Sequence, residues 1–371
     1  MIPKESTNPK TSFRCLIAGG GTGGHLFPGI AIARELEKRF EEKEILFVVG
    51  HRKMESDLLT RYGYRVTSID VEGLKGRGWK KGFSVMVKLP KSIFQSASII
   101  KKFSPSLVLG VGGYSAGPVC LTARFMGIPT AIHEQNSYPG LTNRLLSRVV
   151  GQILISFEES RTHFKVNSVF LTGNPVRDEL FSHDRMEPEG RKTFTILVVG
   201  GSQGATAINK SFAETLEYLN ARGRNPAVIH QTGETDYERV VIDYRDRGLR
   251  AELSPFIQDM TAAYNRADLV VSRAGATTIS ELAALGKPSI LVPYPYAANQ
   301  HQEINARSLV GAGGAEMIRQ SDLTAETLAQ VLIKYMDNPS ALKKMGTCTK
   351  KMAHPNAAKV IVDHLLEMIK Q

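Results

Sequence analysis

Cys15-Leu16-Ile17-Ala18 runs directly into Gly19-Gly20-Gly21-Thr22-Gly23-Gly24-His25, and the amphipathic segment Ile30–Arg39 follows. A uniformly apolar run fits a parallel strand covered on both faces. Glycines at its end let the backbone approach a ligand, and a helix start beyond them offers outward N–H groups and a positive dipole end. Strand, glycine turn and helix in this order predict the first unit of a doubly wound α/β sheet. The turn also contains GxGxxG at Gly19, Gly21 and Gly24. A dinucleotide site would need an acidic residue closing the second strand, but that run ends Val48-Val49-Gly50-His51.

The same rhythm continues outward. Strands are predicted at Ile45–Val49, Leu107–Leu109, Thr130–Ile132 and Ile153–Ile155, with a helix at Thr142–Leu146 and a second glycine turn, Gly110-Val111-Gly112-Gly113-Tyr114. After Gly173-Asn174-Pro175 the polar stretch Phe181 to Lys192 breaks the pattern, which then restarts. Thr195–Val199 enters Gly200-Gly201-Ser202-Gln203-Gly204, and strands follow at Ala227–His230, Leu269–Ser272 and Ile290–Val292. The expected division is 1–175 as a first domain and 176–352 as a second, Rossmann-like one, with the helix in 353–371 packing back on the first. Three glycine turns at strand ends favour ligand binding, because open α/β sheets bind ligands outside the carboxyl ends of their strands.

The composition limits the function classes. The 371 residues suffice for two domains, and 47 Lys and Arg against 36 Asp and Glu give a net charge of +11. That surplus suits phosphorylated substrates or an anionic bilayer, and the lack of a recognisable nucleic-acid module places nucleic acid last. Cys15, Cys120 and Cys348 form no pair of the CxxC type, which fits a reducing compartment and offers no zinc site. Met1 to Ser12 is polar rather than signal-like, and no run of eighteen apolar residues predicts a membrane span.

Four segments carry candidate chemistry. His25 sits where a helix N-terminus disfavours added positive charge, and a neutral imidazole is the form a general base needs; a packing histidine is the plainer reading. His133-Glu134-Gln135-Asn136 places four polar residues just past a buried strand, where they meet a ligand or one another. In Arg273-Ala274-Gly275-Ala276-Thr277-Thr278-Ile279-Ser280-Glu281, small residues open a helix, and a carboxylate one turn inside it suits a diol such as ribose. Leu74, Lys75, Arg77, Trp79, Lys80, Lys81 and Phe83 mix large apolar and basic side chains, as expected for contact with an anionic membrane surface.

Together these motifs resemble the MurG family of UDP-N-acetylglucosamine:lipid I N-acetylglucosaminyltransferases, members of the GT-B glycosyltransferases. The matching stretches are Gly20 to His25, Gly112-Gly113-Tyr114, His133 to Asn136, Gly173-Asn174-Pro175-Val176-Arg177, Gly200 to Gly204, Gly275 to Glu281, and His301-Gln302, in the family's order. The resemblance implies two Rossmann-like domains facing each other across a cleft, 1–175 binding the acceptor and the membrane and 176–352 the UDP-sugar. It implies inverting transfer of N-acetylglucosamine from UDP to the C4 hydroxyl of the N-acetylmuramoyl unit of lipid I, giving lipid II on the cytoplasmic face of the membrane, with no metal or other cofactor.

Site roles follow from the same resemblance. His25 is the candidate base, with Glu134 as its competitor. Thr22, Gly23, Gly24 and Asn136 face the substrates from the first domain, and Arg177 sits beside the nucleotide. Ser202 holds the α-phosphate, Ile257 the uracil edge, and Glu281 the ribose. Ala276, Thr277 and Gln302 meet the sugar, with Gln300 as the other register for Gln302, and Thr278, Ile279 and Ser280 belong to the same donor-binding helix start. Two rivals stand beside this reading, a UDP-N-acetylglucosamine 2-epimerase of the same fold and a non-catalytic subunit that presents the nucleotide sugar.

Overall fold

The computed structural model describes residues 13–21, 23–71, 79–177, 180, 193–201 and 204–370, with the side chains of 79–88 excepted. Two compact units emerge: residues up to Gln135 with Pro139–Thr172 and the segment from Asn356 onward, and Asn136–Tyr138 with Gly173–Pro355.

The first unit contains, in chain order, β1 (Phe13–Ala18), α1 (Gly23–Arg39), β2 (Lys43–Val49), α2 (Lys53–Arg61), β3 (Arg65–Ser68), α3 (Trp79–Phe103), β4 (Leu107–Gly110), α4 (Ala116–Phe125), β5 (Thr130–Glu134), α5 (Leu141–Leu146), β6 (Gln152–Ile155) and β7 (Val169–Leu171). Its strands form one parallel sheet in the order β3-β2-β1-β4-β5-β6-β7. Along β1 the side chains alternate between two cores. Cys15 and Ile17 pack with Ile30, Leu36 and Phe47 on one face, and Leu16 and Ala18 with Val108, Val119 and Ile153 on the other. This double burial is why the strand reads as an unbroken apolar run.

The second unit contains β8 (Thr195–Val199), α6 (Thr206–Asn220), β9 (Ala227–Gln231), α7 (Tyr237–Asp246), β10 (Glu252–Ser254), α8 (Met260–Arg266), β11 (Leu269–Ser272), α9 (Ala276–Leu285), β12 (Ser289–Leu291), α10 (His301–Gly311), β13 (Ala315–Met317), α11 (Ala325–Met336) and α12 (Pro339–Lys351). Its parallel sheet has the order β10-β9-β8-β11-β12-β13. The last described helix, α13 (Ala357–Lys370), packs on α1 and places Ile361, Val362 and Leu365 in the first unit's core.

In both sheets the strand order reverses once, between β1 and β4 in the first and between β8 and β11 in the second. At such a switch point the loops leave in opposite directions and open a crevice beyond the strand ends. The glycine turns emerge there. Helix α1 starts at Gly23, seven residues before the predicted Ile30, so Gly23, Gly24 and His25 form its first turn instead of the loop.

Candidate active site

In the first unit the turns after β1 and β4 are locked together. The Gly20 N–H donates to the Gly112 carbonyl at 3.2 Å. Gly113 has φ 84°, and a Cβ there would run into the Gly20 backbone, so this contact demands glycine. Gly112 has φ 96°, and a Cβ on it would lie 2.7 Å from His25 Nδ1, so its bare backbone makes room for the imidazole. That Nδ1 lies 2.9 Å from Gln135 Oε1.

A carboxylate braces the first turn from below. Glu55, buried on α2, accepts the Gly21 N–H at 2.7 Å, and Arg52 Nη1 donates to the Gly21 carbonyl at 2.8 Å. The second carboxylate oxygen, Oε2, is buried and accepts no hydrogen bond among the described residues. Thr22 lies outside the described residues.

Glu134 closes β5 with a buried carboxylate. Its Oε2 accepts the Gly140 N–H at 3.0 Å and Asn143 Nδ2 at 2.8 Å, which ties the start of α5 to the strand end. His25 is only half-buried, so of the two candidate bases its ring is the more open to a substrate hydroxyl. Asn136 groups with the second unit, where Asn305 on α10 donates to its Oδ1 at 3.3 Å and accepts the Ser137 N–H at 2.8 Å.

At the second unit's switch point the group that braces the turn is neutral. Gln231, buried at the end of β9, donates to the Gly201 carbonyl at 3.1 Å and accepts the Ile257 N–H at 3.0 Å. One amide thus joins the glycine turn to the segment expected to meet the uracil edge. Behind it, His230 lies 2.9 Å from the Tyr244 hydroxyl and 3.0 Å from Asn209 Oδ1, and Asn209 Nδ2 donates to the Thr232 carbonyl and to Asp236, each at 2.9 Å. Asn209 Oδ1 only accepts, so the ring proton sits on Nε2 and Nδ1 accepts from the tyrosine. Complete burial of His230 pushes it down to about 3, and the ring stays neutral. Ser202 and Gln203 lie outside the described residues.

Helix α9 begins beyond β11 with Gly275 as its cap, which offers no side-chain acceptor to the first-turn amides of Ala276, Thr277 and Thr278. Ile279 is buried, and Ser280 turns its hydroxyl back to the Ala276 carbonyl at 2.9 Å. Glu281 accepts Arg177 Nη2 at 3.0 Å on one oxygen and the Tyr264 hydroxyl at 3.1 Å on the other. Burial pushes this carboxyl up, while Arg177 and the Tyr264 hydrogen bond act to hold it ionised. Burial, with the facing carboxylate, raises the Tyr264 phenol well above its usual range, so it stays a donor. Each carboxylate oxygen has two lone-pair sites, so the pairing leaves capacity for a diol.

Gln302, on α10, accepts the Tyr294 N–H at 3.0 Å and so pins the turn after β12; Asn299 and Gln300 there have φ 52° and 53°. Of the expected membrane residues, Leu74, Lys75 and Arg77 lie outside the described residues, as do the side chains of Trp79, Lys80, Lys81 and Phe83 at the start of α3. Further along, the first unit exposes Leu89 and Phe94 on α3, Phe125 and Met126 at the end of α4, and Leu141 and Leu145 on α5, and α4 packs against both neighbours. No helix among the described residues is long and apolar enough to cross a membrane.

Comparison with known proteins places this geometry. The family model of the glycosyltransferase family 28 N-terminal domain matches residues 15–155, and that of its C-terminal domain matches residues 195–361. A relative from Syntrophus aciditrophicus (strain SB), named UDP-N-acetylglucosamine--N-acetylmuramyl-(pentapeptide) pyrophosphoryl-undecaprenol N-acetylglucosamine transferase, is 45% identical over 96% of this chain and 99% of its own. The crystal structure of Acinetobacter baumannii MurG matches with a TM-score of 0.77 at 32% identity, covering 96% of this chain and 99% of that one. A UDP-GlcNAc 2-epimerase from Neisseria meningitidis shares the fold alone, with a TM-score of 0.69 at 16% identity over 96% of this chain and all of its own, 100%. Paired sheets with glycine turns at both switch points and a relative matched end to end lead to one assignment: the chain belongs to glycosyltransferase family 28, within the MurG family of N-acetylglucosamine transferases of GT-B fold.

Proposed function

We propose that this enzyme transfers N-acetylglucosamine from UDP-N-acetylglucosamine to the C4 hydroxyl of the N-acetylmuramoyl unit of lipid I, giving lipid II and UDP with inversion at the anomeric carbon. The observation that carries this reading is the near full-length identity to relatives named for that transfer.

The second unit holds the donor. Glu281 accepts the ribose hydroxyls, the Ile257 segment meets the uracil edge, and the Gly200–Gly204 turn, Ser202 included, takes the α-phosphate. The α9 amides from Ala276 to Ile279, with Arg177 nearby, stabilise charge on the departing UDP. Fixed dipoles aimed at developing charge lower the barrier without a metal ion. In the first unit, His25 takes the proton of the acceptor hydroxyl as the new glycosidic bond forms, with Gly23 and Gly24 alongside. The exposed apolar side chains of α3, α4 and α5 join the basic segment before them in meeting an anionic membrane surface from the cytoplasmic side.

Incubation with radiolabelled UDP-N-acetylglucosamine and a lipid I analogue, with chelator present, tests the reading. Label in the lipid product, undiminished by chelator, is the expected result. Conversion of the nucleotide sugar without acceptor would indicate an epimerase, and nucleotide binding without turnover a presenting subunit. Loss of activity with chelator would overturn the metal-free mechanism.

A further inference from the structure

We propose that Gln135 is a positioning residue that fixes the tautomer of His25, holding the proton on Nδ1 and presenting Nε2 as the basic atom. The proposal rests on the reading of His25 as the base and deepens it.

One group fixes the sense of the Gln135 amide. The Val111 backbone carbonyl can only accept, and a nitrogen of Gln135 faces it at 2.9 Å. The same Nε2 lies 2.9 Å from His133 Nδ1. An amide turned the other way would set Oε1 against the Val111 carbonyl, two acceptors with no proton between them, at a site where Gln135 is 1% exposed. Oε1 therefore faces His25, and since an amide oxygen only accepts, the proton between them belongs to His25 Nδ1, 2.9 Å away. With its proton on Nδ1, a neutral imidazole has its lone pair on Nε2.

The chain closes consistently at its other end. His133 Nδ1 accepts from Gln135, so the His133 proton sits on Nε2, which faces the Ser156 hydroxyl at 3.3 Å. The acidic groups of the neighbouring segments are engaged elsewhere, Glu134 with Gly140 and Asn143, and Glu55 with Gly21. The orienting group is thus a neutral amide where many hydrolases use a carboxylate, and the tautomer is set by one backbone carbonyl through one side chain.

The test uses the whole enzyme with its histidines ¹⁵N-labelled, the His25 signals being assigned by their loss in His25→Ala. The proposal expects a protonated Nδ1 and an unprotonated Nε2 in the wild type; the opposite tautomer overturns it. Gln135→Met, which keeps the volume without the amide, is expected to lose that preference and about 100-fold in kcat, on the scale of a general-base contribution. KM for UDP-N-acetylglucosamine stays within about threefold, because the donor is held by other residues. Gln135→Glu, which retains an acceptor for the Nδ1 proton, is expected to recover part of the kcat. Unchanged kcat in a folded Gln135→Met would overturn the positioning role. Full turnover in His25→Ala would remove the underlying base reading, and is distinguished from failure of the tautomer assignment by the wild-type spectrum.

Discussion

The two units solve one architectural problem with opposite electrostatics. Each opens a glycine turn at the switch point of a parallel sheet, and each braces that turn from the neighbouring element. In the first unit the brace is a buried carboxylate, Glu55, which takes the Gly21 amide. In the second it is a neutral amide, Gln231, which gives a hydrogen to the Gly201 carbonyl. A turn whose amide is claimed by a resident carboxylate has less capacity for a further anion than one held by its carbonyl. The second unit's Arg177–Glu281 pair lies on the side assigned to the ribose. The contrast teaches that a glycine-rich turn alone does not define a phosphate site; the side chain beneath it does.

The largest expected effect strikes that charged pair. Glu281→Ala leaves Arg177 without its carboxylate and Tyr264 without its acceptor, and should cost about 3 kcal/mol in denaturant unfolding together with most donor affinity. An unchanged unfolding midpoint would show the pair to be idle. Glu55→Ala should cost about 2 kcal/mol, by leaving the Gly21 amide without its acceptor, and should leave UDP binding intact by calorimetry. Weakened UDP binding in this variant would erase the contrast between the turns.

Acid tests the buried histidine behind Gln231. His230 is held at about 3 in the folded protein against an ordinary 6.5, so below pH 6.5 the unfolded chain binds a proton that the folded one refuses. Its contribution is silent above that pH. Between about 6.5 and 3 it should remove up to about 1.4 kcal/mol of stability per pH unit. His230→Gln should flatten the slope in urea unfolding at pH 7, 6 and 5, and an unaltered slope would refute the assignment. The smallest effect is expected at the surface. Phe94→Ser with Phe125→Ser should weaken binding to anionic vesicles severalfold with solution turnover retained; unchanged cosedimentation would place the membrane contact elsewhere.

The central strands were legible because both their faces are buried, and β8 runs over Thr195–Val199 as predicted from its apolar residues. The edge strands were not. Arg65–Ser68, Glu252–Ser254 and Ala315–Met317 are short, at least partly exposed except at Ala315, and carry no apolar run, while Val169–Leu171 is apolar but only three residues long and exposed at Leu171. The site divides in the same way. Turns are local, and their glycines announced them, although α1 begins inside its turn at Gly23 and not at Ile30. Glu55, Gln231 and Tyr264 act on partners distant in sequence, and nothing in their own neighbourhoods marks them. Gln135 carried a faint signal, as a polar residue just past a buried strand, but its partners are known only once β1, β4 and β5 lie side by side.

The return of α13 to the first unit has a consequence for biosynthesis. Ile361, Val362 and Leu365 complete the apolar face that β1 and α1 begin. Although domains emerging from the ribosome generally fold in order, this unit keeps an open seam until α13 has been made, after the whole of the second unit. The second unit is therefore free to mature first, and a ribosome stalled near residue 350 would expose a greasy groove for chaperones to cover.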